Sequence, residues 1–329
     1  MTALLSIEAP AKLNLTLAVN GRRPDGYHLI ESVMQALDLT DCVELAPASG
    51  GTVVHCTSPG VPTDETNLAV RAVEALRAAL PPGRQGPGGL EIRIHKRIPV
   101  AAGLGGGSAD AAAALIGANA LWGLGLDQRE LARIGVRIGA DVPFCLHGGT
   151  AIARGIGEEL EPVPAAAPLC GVVVNPGFPV STAAVYRVYD QLYAEAMAGA
   201  GGNDNGPVGL AGVTHGRFLP DGKGRAAAMA EALGRGDVDA VARLLYNDLE
   251  PAAVRLYPQI LELRQRVLEA GALGAVMCGS GPSVFGLAAD EDHAEALAQS
   301  LKGVAPFVQV CRFRPDGCRI VRSQERVQH

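Results

Sequence analysis

The stretch GLGGGS, Gly103 to Ser108, constrains the fold of this 329-residue chain more than any other feature. It follows the alternating strand pattern LEIRIHKRI and precedes an alanine-rich segment, Ala109 to Leu121, that is predicted to be a helix. Glycine costs conformational order, so this junction must bring the backbone close to another object. Because a helix start carries unpaired N–H groups and the positive end of the helix dipole, a phosphate is one such object.

The alternative is a tight strand-to-helix connection with Ser108 as its N-cap, and the loop alone does not separate the two interpretations. The loop is not of the Walker A type, since no Gly-Lys-Ser/Thr follows. It is not a clean Rossmann fingerprint either, because the sixth position is Ser108 counted from Gly103 and Asp110 counted from Gly105. A second glycine stretch, CGSGPS at 278–283, lies between two predicted strands and by itself indicates a hairpin turn.

The composition is typical of a soluble globular protein, with 48% hydrophobic and 19% charged residues. No apolar run approaches the ~20 residues of a membrane span, and the first residues show no signal-peptide pattern. A net charge of -6 argues against a general nucleic-acid binder. Seven cysteines are scattered singly without a Cys-x-x-Cys pair, which predicts reduced thiols in a cytoplasmic protein.

The pattern of predicted elements divides the chain near residue 165 into two domains, 1–165 and 166–329. In the first domain, two strands flank Pro10 and helices surround the glycine loop. Between them, CVELA is a further strand, and the pattern of LIESVMQALDL favours a strand with a helix as the alternative. The second domain follows the order β-α-β-β-α-β of a ferredoxin-like fold. The predicted class is α/β (α+β), with a low-complexity, mobile insertion near 198–212.

Polar residues interrupt the apolar strand PAKLNLTL, where Lys12 and Asn14 are two residues apart and face the same side. Such a face lines a cleft, or else it belongs to a solvated edge strand. The chain has four lysines against 24 arginines, and Lys12 and Lys96 lie beside its most motif-like segments. Lysine is a compact point charge that arginine does not replace. In GADVPF, Asp141 is either a helix N-cap before Pro143 or a carboxylate base near a lysine, and nothing local decides between these.

Six segments taken in order resemble the GHMP kinase superfamily over residues 9–287: PAKLNLTL, GRRPDGYH, TDETNLAVRA, KRIPVAAGLGGGSADAAAAL, GADVPF and CGSGPSVFG. The resemblance implies a two-domain GHMP kinase fold, with an N-terminal ATP-binding domain, a C-terminal ferredoxin-like domain and the active site in the cleft between them. It also implies phosphoryl transfer from ATP with Mg²⁺, whose protein ligands stay unassigned. GRRPDGYH resembles the members whose small-molecule acceptor carries a cytidine diphosphate group. We expect no nucleic-acid or membrane partner, and a monomer or weak homodimer.

The same resemblance implies roles for individual residues. The ATP site is expected to comprise Asn67, Leu68, Lys96, Pro99, Gly103, Leu104, Gly105, Gly106, Gly107 and Ser108. The acceptor site is expected to comprise Asn14, Tyr27, His28, Thr182, Tyr186, Gly279 and Gly281. Among these, Tyr27 and His28 would recognise the cytosine and Tyr186 would stack on it. Lys12 and Asp141 are expected to be catalytic, with Asp141 accepting the hydroxyl proton and Lys12 holding it ionised.

Three other functions remain compatible with the sequence. Another small-molecule kinase of the same superfamily is the first, and the Tyr27-His28 element argues against it. A nucleotide-binding regulator without catalysis is the second, and the intact Lys12, Asp141 and Ser108 argue against it. A dinucleotide oxidoreductase is the third, and the failed Rossmann register argues against it.

Overall fold

The computed structural model of the protein describes residues 2–81, 88–166, 168–199, 219 and 223–326. Its strands are β1 (Thr2–Arg22), β2 (His28–Ala48), β3 (Val53–Cys56), β4 (Gly89–His95), β5 (Thr150–Arg154), β6 (Glu159–Pro162), β7 (Cys170–Asn175), β8 (Tyr246–Asn247), β9 (Gly274–Met277), β10 (Val284–Leu287), β11 (Phe307–Arg312) and β12 (Arg319–Arg326). Its helices are α1 (Leu68–Ala78), α2 (Gly106–Leu121), α3 (Gln128–Gly135), α4 (Val142–His147), α5 (Thr182–Gly199), α6 (Arg225–Arg235), α7 (Val238–Leu244), α8 (Glu250–Leu256), α9 (Gln259–Glu269) and α10 (Glu291–Ser300).

A long antiparallel ribbon of β1 and β2, the β1–β2 ribbon, is the axis of the first sheet. The strand order is β12-β1-β2-β4-β3, with β5 paired to β2, β6 paired to β5, and β8 paired to β1. The predicted break at Pro10 is wrong, because β1 runs through it as one strand of 21 residues. The ladder shifts register between Pro10 and Lys12, and an irregularity of this kind accommodates a residue without an N–H group.

Helix α2 packs on this sheet and explains its alanine-rich sequence. All seven residues from Ala109 to Leu115 are buried, so nearly every face of this part of the helix meets protein. A Cβ on Gly117 would lie 2.8 Å from Leu45 Cδ1, which shows how closely the helix approaches the ribbon. The predicted helix start is wrong by three residues: α2 begins at Gly106, and its N-cap is Gly105, not Ser108. Gly105 has φ 69°, the left-handed region that favours glycine.

The second sheet confirms the predicted ferredoxin-like arrangement. Its strand order is β11-β7-β10-β9, and every neighbouring pair is antiparallel. Residues of the β1–β2 ribbon pack into the core of this sheet, since Leu13 and Val33 share a buried cluster with Val173 and Phe285. The opposite end of the ribbon packs with α2 in a separate core. One ribbon therefore supports both halves of the molecule.

Strand β12 returns from the second half of the chain to pair with β1 over Thr2 to Glu8. The first sheet thus contains residues from both sides of the predicted division near residue 165, and that division stays a prediction. The predicted insertion near 198–212 lies outside the described residues, apart from the last two residues of α5. Among the helices of the described ranges, none is long and apolar enough to cross a membrane.

Candidate active site

A cleft of about 1070 Å³ lies where the glycine loop, the β1–β2 ribbon and α5 meet. All but two of the predicted site residues line it: Lys12, Asn14, Tyr27, His28, Asn67, Leu68, Lys96, Pro99, Gly103, Gly105, Gly106, Gly107, Ser108, Asp141, Thr182, Tyr186 and Gly279. Leu104 and Gly281 were also predicted to be site residues, but they do not line the cleft. Leu104 is buried behind the loop, where its carbonyl oxygen accepts from the Lys12 N–H at 2.9 Å. Gly281 lies behind Gly279, its amide bonded to the Cys278 carbonyl at 2.8 Å.

The glycines of the loop serve two different purposes. A side chain on Gly103 would overlap the carbonyl oxygen of Cys278, so this glycine is required by the close approach of the β9–β10 turn. A Cβ on Gly105 would lie 2.7 Å from Lys12 Cγ, so this glycine makes room for the lysine stem. Gly107 is exposed in the cleft, and a Cβ there would meet Leu68 Cδ1 alone, at 3.3 Å. Gly107 is therefore the glycine whose openness serves the cleft rather than the packing.

The first turn of α2 presents its backbone to this cleft. Gly106, Gly107 and Ser108 are its first three residues, and their N–H groups have no partner four residues earlier in the helix. The N-cap residue, Gly105, has no side chain with which to cap these groups. This end of the helix therefore offers N–H groups and positive dipole character to an anion, as the sequence predicts.

Lys12 and Asn14 form the polar floor of the cleft. Lys12 Nζ donates to Asn14 Oδ1 at 2.7 Å and lies 3.4 Å from Asp141 Oδ2. Asn14 in turn donates to Ser32 Oγ at 2.8 Å, and Ser32 donates to the carbonyl of Thr16. The lysine side chain is only 7% exposed, so this chain of hydrogen bonds fixes the buried Lys12 charge at the base of the cleft. The predicted common face of Lys12 and Asn14 is confirmed.

Asp141 occupies the position before α4 but does not cap that helix. Its backbone is helical, and its side chain makes no capping hydrogen bond. Its carboxylate, 28% exposed, lies beside Lys12 instead. The capping interpretation that the sequence left open is therefore wrong, and the geometry leaves the carboxylate available to a molecule in the cleft.

Lys96 lies beneath the glycine loop between two buried carboxylates, Asp41 and Asp110. Its Nζ donates to Asp110 Oδ2 at 2.8 Å, and Asp41 also accepts from the backbone N–H groups of Arg97 and Ile98. Burial raises the pKa of Asp110 to about 7, an effect that the charge of Lys96 opposes and that of Asp41 reinforces. Burial alone would lower the pKa of Lys96, but the two carboxylates raise it above its ordinary value. Lys96 is therefore a charged anchor that ties α2 to the ribbon.

Aromatic and acidic side chains form the outer wall of the cleft. The rings of His28 and Tyr186 stack with centroids 4.5 Å apart, and the Tyr189 ring meets His28 edge-on at 6.2 Å. His28 Nε2 lies 2.6 Å from Asp190 Oδ1, and Arg22 lies 3.2 Å from the other oxygen of that carboxylate. Tyr27 is 58% exposed at the cleft edge. An exposed aromatic beside a stacked ring pair forms a surface suited to a flat heterocycle.

The remaining predicted residues also have structural roles. Asn67 caps α1 by accepting from the Ala69 N–H at 2.9 Å, while its amide donates to the Pro62 carbonyl. Thr182 Oγ1 lies 2.7 Å from Ser280 Oγ, which joins the start of α5 to the β9–β10 turn. CGSGPS forms the predicted hairpin turn, which connects β9 and β10, and it also packs against the glycine loop through Gly279.

Sequence reasoning missed Asp110 and Asp190. Asp110 follows Ser108 by two residues inside the motif, and a carboxylate in a buried alanine helix was the feature that could have drawn attention to it. Asp190 follows Tyr186 by one helical turn, so the i, i+4 spacing puts both on one face of α5. Local sequence does not show that Asp110 pairs with Lys96 or that Asp190 pairs with His28.

Comparison with known proteins places this geometry in a family. The model of the GHMP kinases N terminal domain matches residues 67–149, which include the glycine loop, and that of the GHMP kinases C terminal domain matches residues 229–306. A homoserine kinase structure from Cytophaga hutchinsonii has the same fold at TM-score 0.72 and 21% identity, with 97% of each chain covered. The fold is that of the GHMP kinases.

More similar relatives narrow this class. The chain is 45% identical to 4-diphosphocytidyl-2-C-methyl-D-erythritol kinase of Gloeobacter violaceus, over 97% of each chain. It is 44% identical to the protein of that name from Pelotomaculum thermopropionicum, over 93% of this chain and 97% of the relative. A crystal structure of 4-(cytidine 5'-diphospho)-2C-methyl-D-erythritol kinase superposes with TM-score 0.70 and 37% identity, covering 94% and 99% of the two chains. The chain belongs to the 4-diphosphocytidyl-2-C-methyl-D-erythritol kinase family, and the oxidoreductase alternative is wrong.

Proposed function

We propose that this protein transfers the γ-phosphoryl group of ATP to the 2-hydroxyl of 4-diphosphocytidyl-2-C-methyl-D-erythritol, a step in the non-mevalonate isoprenoid precursor pathway. One observation carries the proposal: a buried lysine and an available carboxylate, Lys12 and Asp141, lie 3.4 Å apart beside an uncapped, glycine-rich helix start. The acceptor is inferred from the relatives, whose names state it. This chain has the residues that the reaction needs.

On the donor side, the N–H groups of Gly106, Gly107 and Ser108 bind the phosphates of ATP. The loop has no lysine of its own, so positive charge comes from the α2 dipole and from Lys12. Lys96 is held by Asp41 and Asp110, so it supports the floor of the nucleotide site rather than reaching across it. Asn67 and Leu68 also line the cleft and would lie around the adenosine.

On the acceptor side, Asp141 accepts the proton of the attacking hydroxyl. The hydroxyl oxygen forms the new bond to the γ-phosphorus, the bond from that phosphorus to the β–γ bridging oxygen breaks, and ADP leaves. Lys12, whose Nζ lies 3.4 Å from Asp141 Oδ2, neutralises charge on the transferring group. Tyr27, His28 and Tyr186 hold the cytosine, and Thr182 lines the path between base and hydroxyl.

Mg²⁺ is proposed to accompany ATP and to neutralise phosphate charge during the transfer. This ion prefers oxygen ligands, and it keeps water and phosphate in most of its coordination positions. The oxygen donors that line the cleft include the Ser108 hydroxyl and the Asp141 carboxylate, which would suit such an ion. No cluster of three or more histidine, cysteine or acidic side chains in the described ranges suits a metal.

A cytoplasmic location belongs to the same proposal, because all seven cysteines are free thiols, as in a reducing compartment. The monomeric or weakly dimeric state and the lack of a nucleic-acid partner stay predictions. The names of the relatives do not favour the two other functions that the sequence allowed, a GHMP kinase with another acceptor and a nucleotide-binding regulator without catalysis.

An acceptor panel tests the proposal directly. The purified protein is given Mg-ATP with 4-diphosphocytidyl-2-C-methyl-D-erythritol, mevalonate, homoserine or galactose, and ADP release and the new phosphomonoester are measured. We expect turnover with the cytidine-bearing acceptor, and carbon–phosphorus coupling in the product that assigns the phosphate to the 2-hydroxyl. Preference for an acceptor without cytosine would refute the specific activity, and failure to release ADP with any acceptor would favour a regulator.

A further inference from the structure

Asp190 bridges the two walls of the acceptor end of the cleft. It lies on α5, while both of its partners, His28 and Arg22, belong to the β1–β2 ribbon. Its Oδ1 lies 2.6 Å from His28 Nε2 and its Oδ2 lies 3.2 Å from Arg22 Nη1. The two oxygens of one carboxylate therefore have two separate partners, one aromatic and one cationic.

This contact determines which nitrogen of the neutral His28 ring carries the proton. An ionised carboxylate only accepts hydrogen bonds, so Nε2 must be the donor. The proton of a neutral imidazole is then on Nε2, and Nδ1 is left as an acceptor. The Nε2–H of the neutral ring satisfies Asp190 Oδ1, while Arg22 satisfies Oδ2.

Nδ1 of His28 remains accessible to a ligand. Tyr186 stacks on one face of the ring and Tyr189 meets the ring edge-on, and no residue of the described part of the chain bonds to Nδ1. The buried side-chain atoms without a partner in that part of the chain are Asp110 Oδ1 and Trp122 Nε1. Nδ1 is not one of them, so it keeps contact with the open space of the cleft, which His28 lines.

We propose that Asp190 is a positioning residue that sets base specificity by holding the His28 ring with Nδ1 as an acceptor. Cytosine presents an amino group, a donor, where uracil presents a carbonyl, an acceptor. An Nδ1 acceptor pairs with the amino group and faces the uracil carbonyl with a second acceptor. The inference rests on the proposed function, and it explains how the site would choose between two pyrimidines of the same size.

The bridge also predicts what a neutral amide would do at this position. In Asp190→Asn the side chain has one donor end and one acceptor end. Arg22 only donates, so the acceptor oxygen turns toward Arg22 and the NH₂ turns toward His28 Nε2. Nε2 then becomes the acceptor and the proton moves to Nδ1, which now suits the carbonyl of uracil.

The first experiment reads the tautomer itself. Imidazole ¹⁵N chemical shifts are recorded at pH 8 for the wild type, for Asp190→Asn, and for His28→Ala to assign the signal. We expect Nε2–H in the wild type and Nδ1–H in Asp190→Asn. Nδ1–H in the wild-type protein would overturn the inference whether or not the protein is a kinase, so its failure is distinguishable from that of the proposed function.

The second experiment measures kcat/KM for the cytidine-bearing acceptor and for its uridine analogue. We expect the wild type to prefer the cytidine-bearing acceptor and this preference to fall by about tenfold or more in Asp190→Asn. The reason is that His28 Nδ1 would then carry a proton and face the amino group of cytosine with a second donor. Glu195→Gln is the matched control, an acid-to-amide change on the same helix at a side chain 60% exposed, and it should leave the ratio unchanged. A folded Asp190→Asn protein with the wild-type ratio would overturn the inference. A ratio lost equally in Glu195→Gln would do the same.

Discussion

Replacing Asp141 by asparagine tests the chemistry proposed for the cleft. The change keeps the size of the side chain but removes both the proton acceptor and the charge 3.4 Å from Lys12 Nζ. Loss of a general base costs ~10²–10⁴ in rate, which is about 3–5 kcal/mol of barrier. The folded state should lose less, about 1–3 kcal/mol, because Lys12 keeps its 2.7 Å hydrogen bond to Asn14. The expected result is a folded protein that binds ATP and hardly turns over.

A second substitution makes the test sharper. Lys12→Met removes the ammonium but retains an unbranched stem, which matters because Lys12 Cγ packs where a Cβ on Gly105 would be. If Lys12 and Asp141 act as one unit, the double variant should be little slower than the slower single variant. Single-turnover rates with saturating ATP measure the effect, while ATP dissociation constants and thermal unfolding serve as controls.

Two results would refute this reasoning. A folded Asp141→Asn protein with near-normal turnover would mean that Asp141 is not the base. Rate losses that multiply in the double variant would mean that the two residues act independently, despite their contact.

Three further predictions concern the glycine loop and the anchor beneath it. Gly107→Val should weaken ATP binding while the fold survives, since a Cβ there would meet Leu68 alone. Gly50→Val, where a Cβ would meet nothing within 4 Å, is the matched control for calorimetric titration with ATP. Equal ATP affinity in the two variants would count against a phosphate-binding role for the loop. Gly103→Ala should instead lower the melting temperature, by a destabilisation of about 3 kcal/mol or more, because its side chain overlaps a backbone oxygen; an unchanged melting temperature would contradict this. The pKa of Asp110 is raised to about 7, so between about pH 4 and pH 7 the folded state binds a proton that the unfolded state does not. The free energy of unfolding of the wild type relative to Asp110→Asn should therefore fall by a few kcal/mol as pH rises from about 4 to 7 in denaturant unfolding. A difference between the two proteins that does not change with pH would refute this.

Local sequence was enough to predict contacts that depend on strand or helix spacing. Lys12 and Asn14 are two residues apart on a strand, and their side chains do meet. The ferredoxin-like order of the second sheet was also predictable, because each of its strands is short, apolar and bounded by turns. The helix start at Gly106 was not, since three adjacent glycines indicate a loop until the packing against Lys12 and Lys96 is known.

Contacts between distant segments were beyond local reasoning. Asp141 could be a cap or a base until the structure placed Lys12, 129 positions earlier in the sequence, beside it. Asp110 and Asp190 were missed for the same reason, because each depends on a partner from another element. Resemblance to a family supplied the pairing of Lys12 with Asp141, but not these two supporting carboxylates.

The pairing of β12 with β1 has a consequence for how the chain reaches its native state. During synthesis, residues 2–8 leave the ribosome more than 300 residues before the strand that must lie beside them. One edge of the first sheet therefore stays uncovered until β12 is made, after all four strands of the second sheet. The sheet that carries the β1–β2 ribbon of the cleft therefore becomes complete only after β12 has been made.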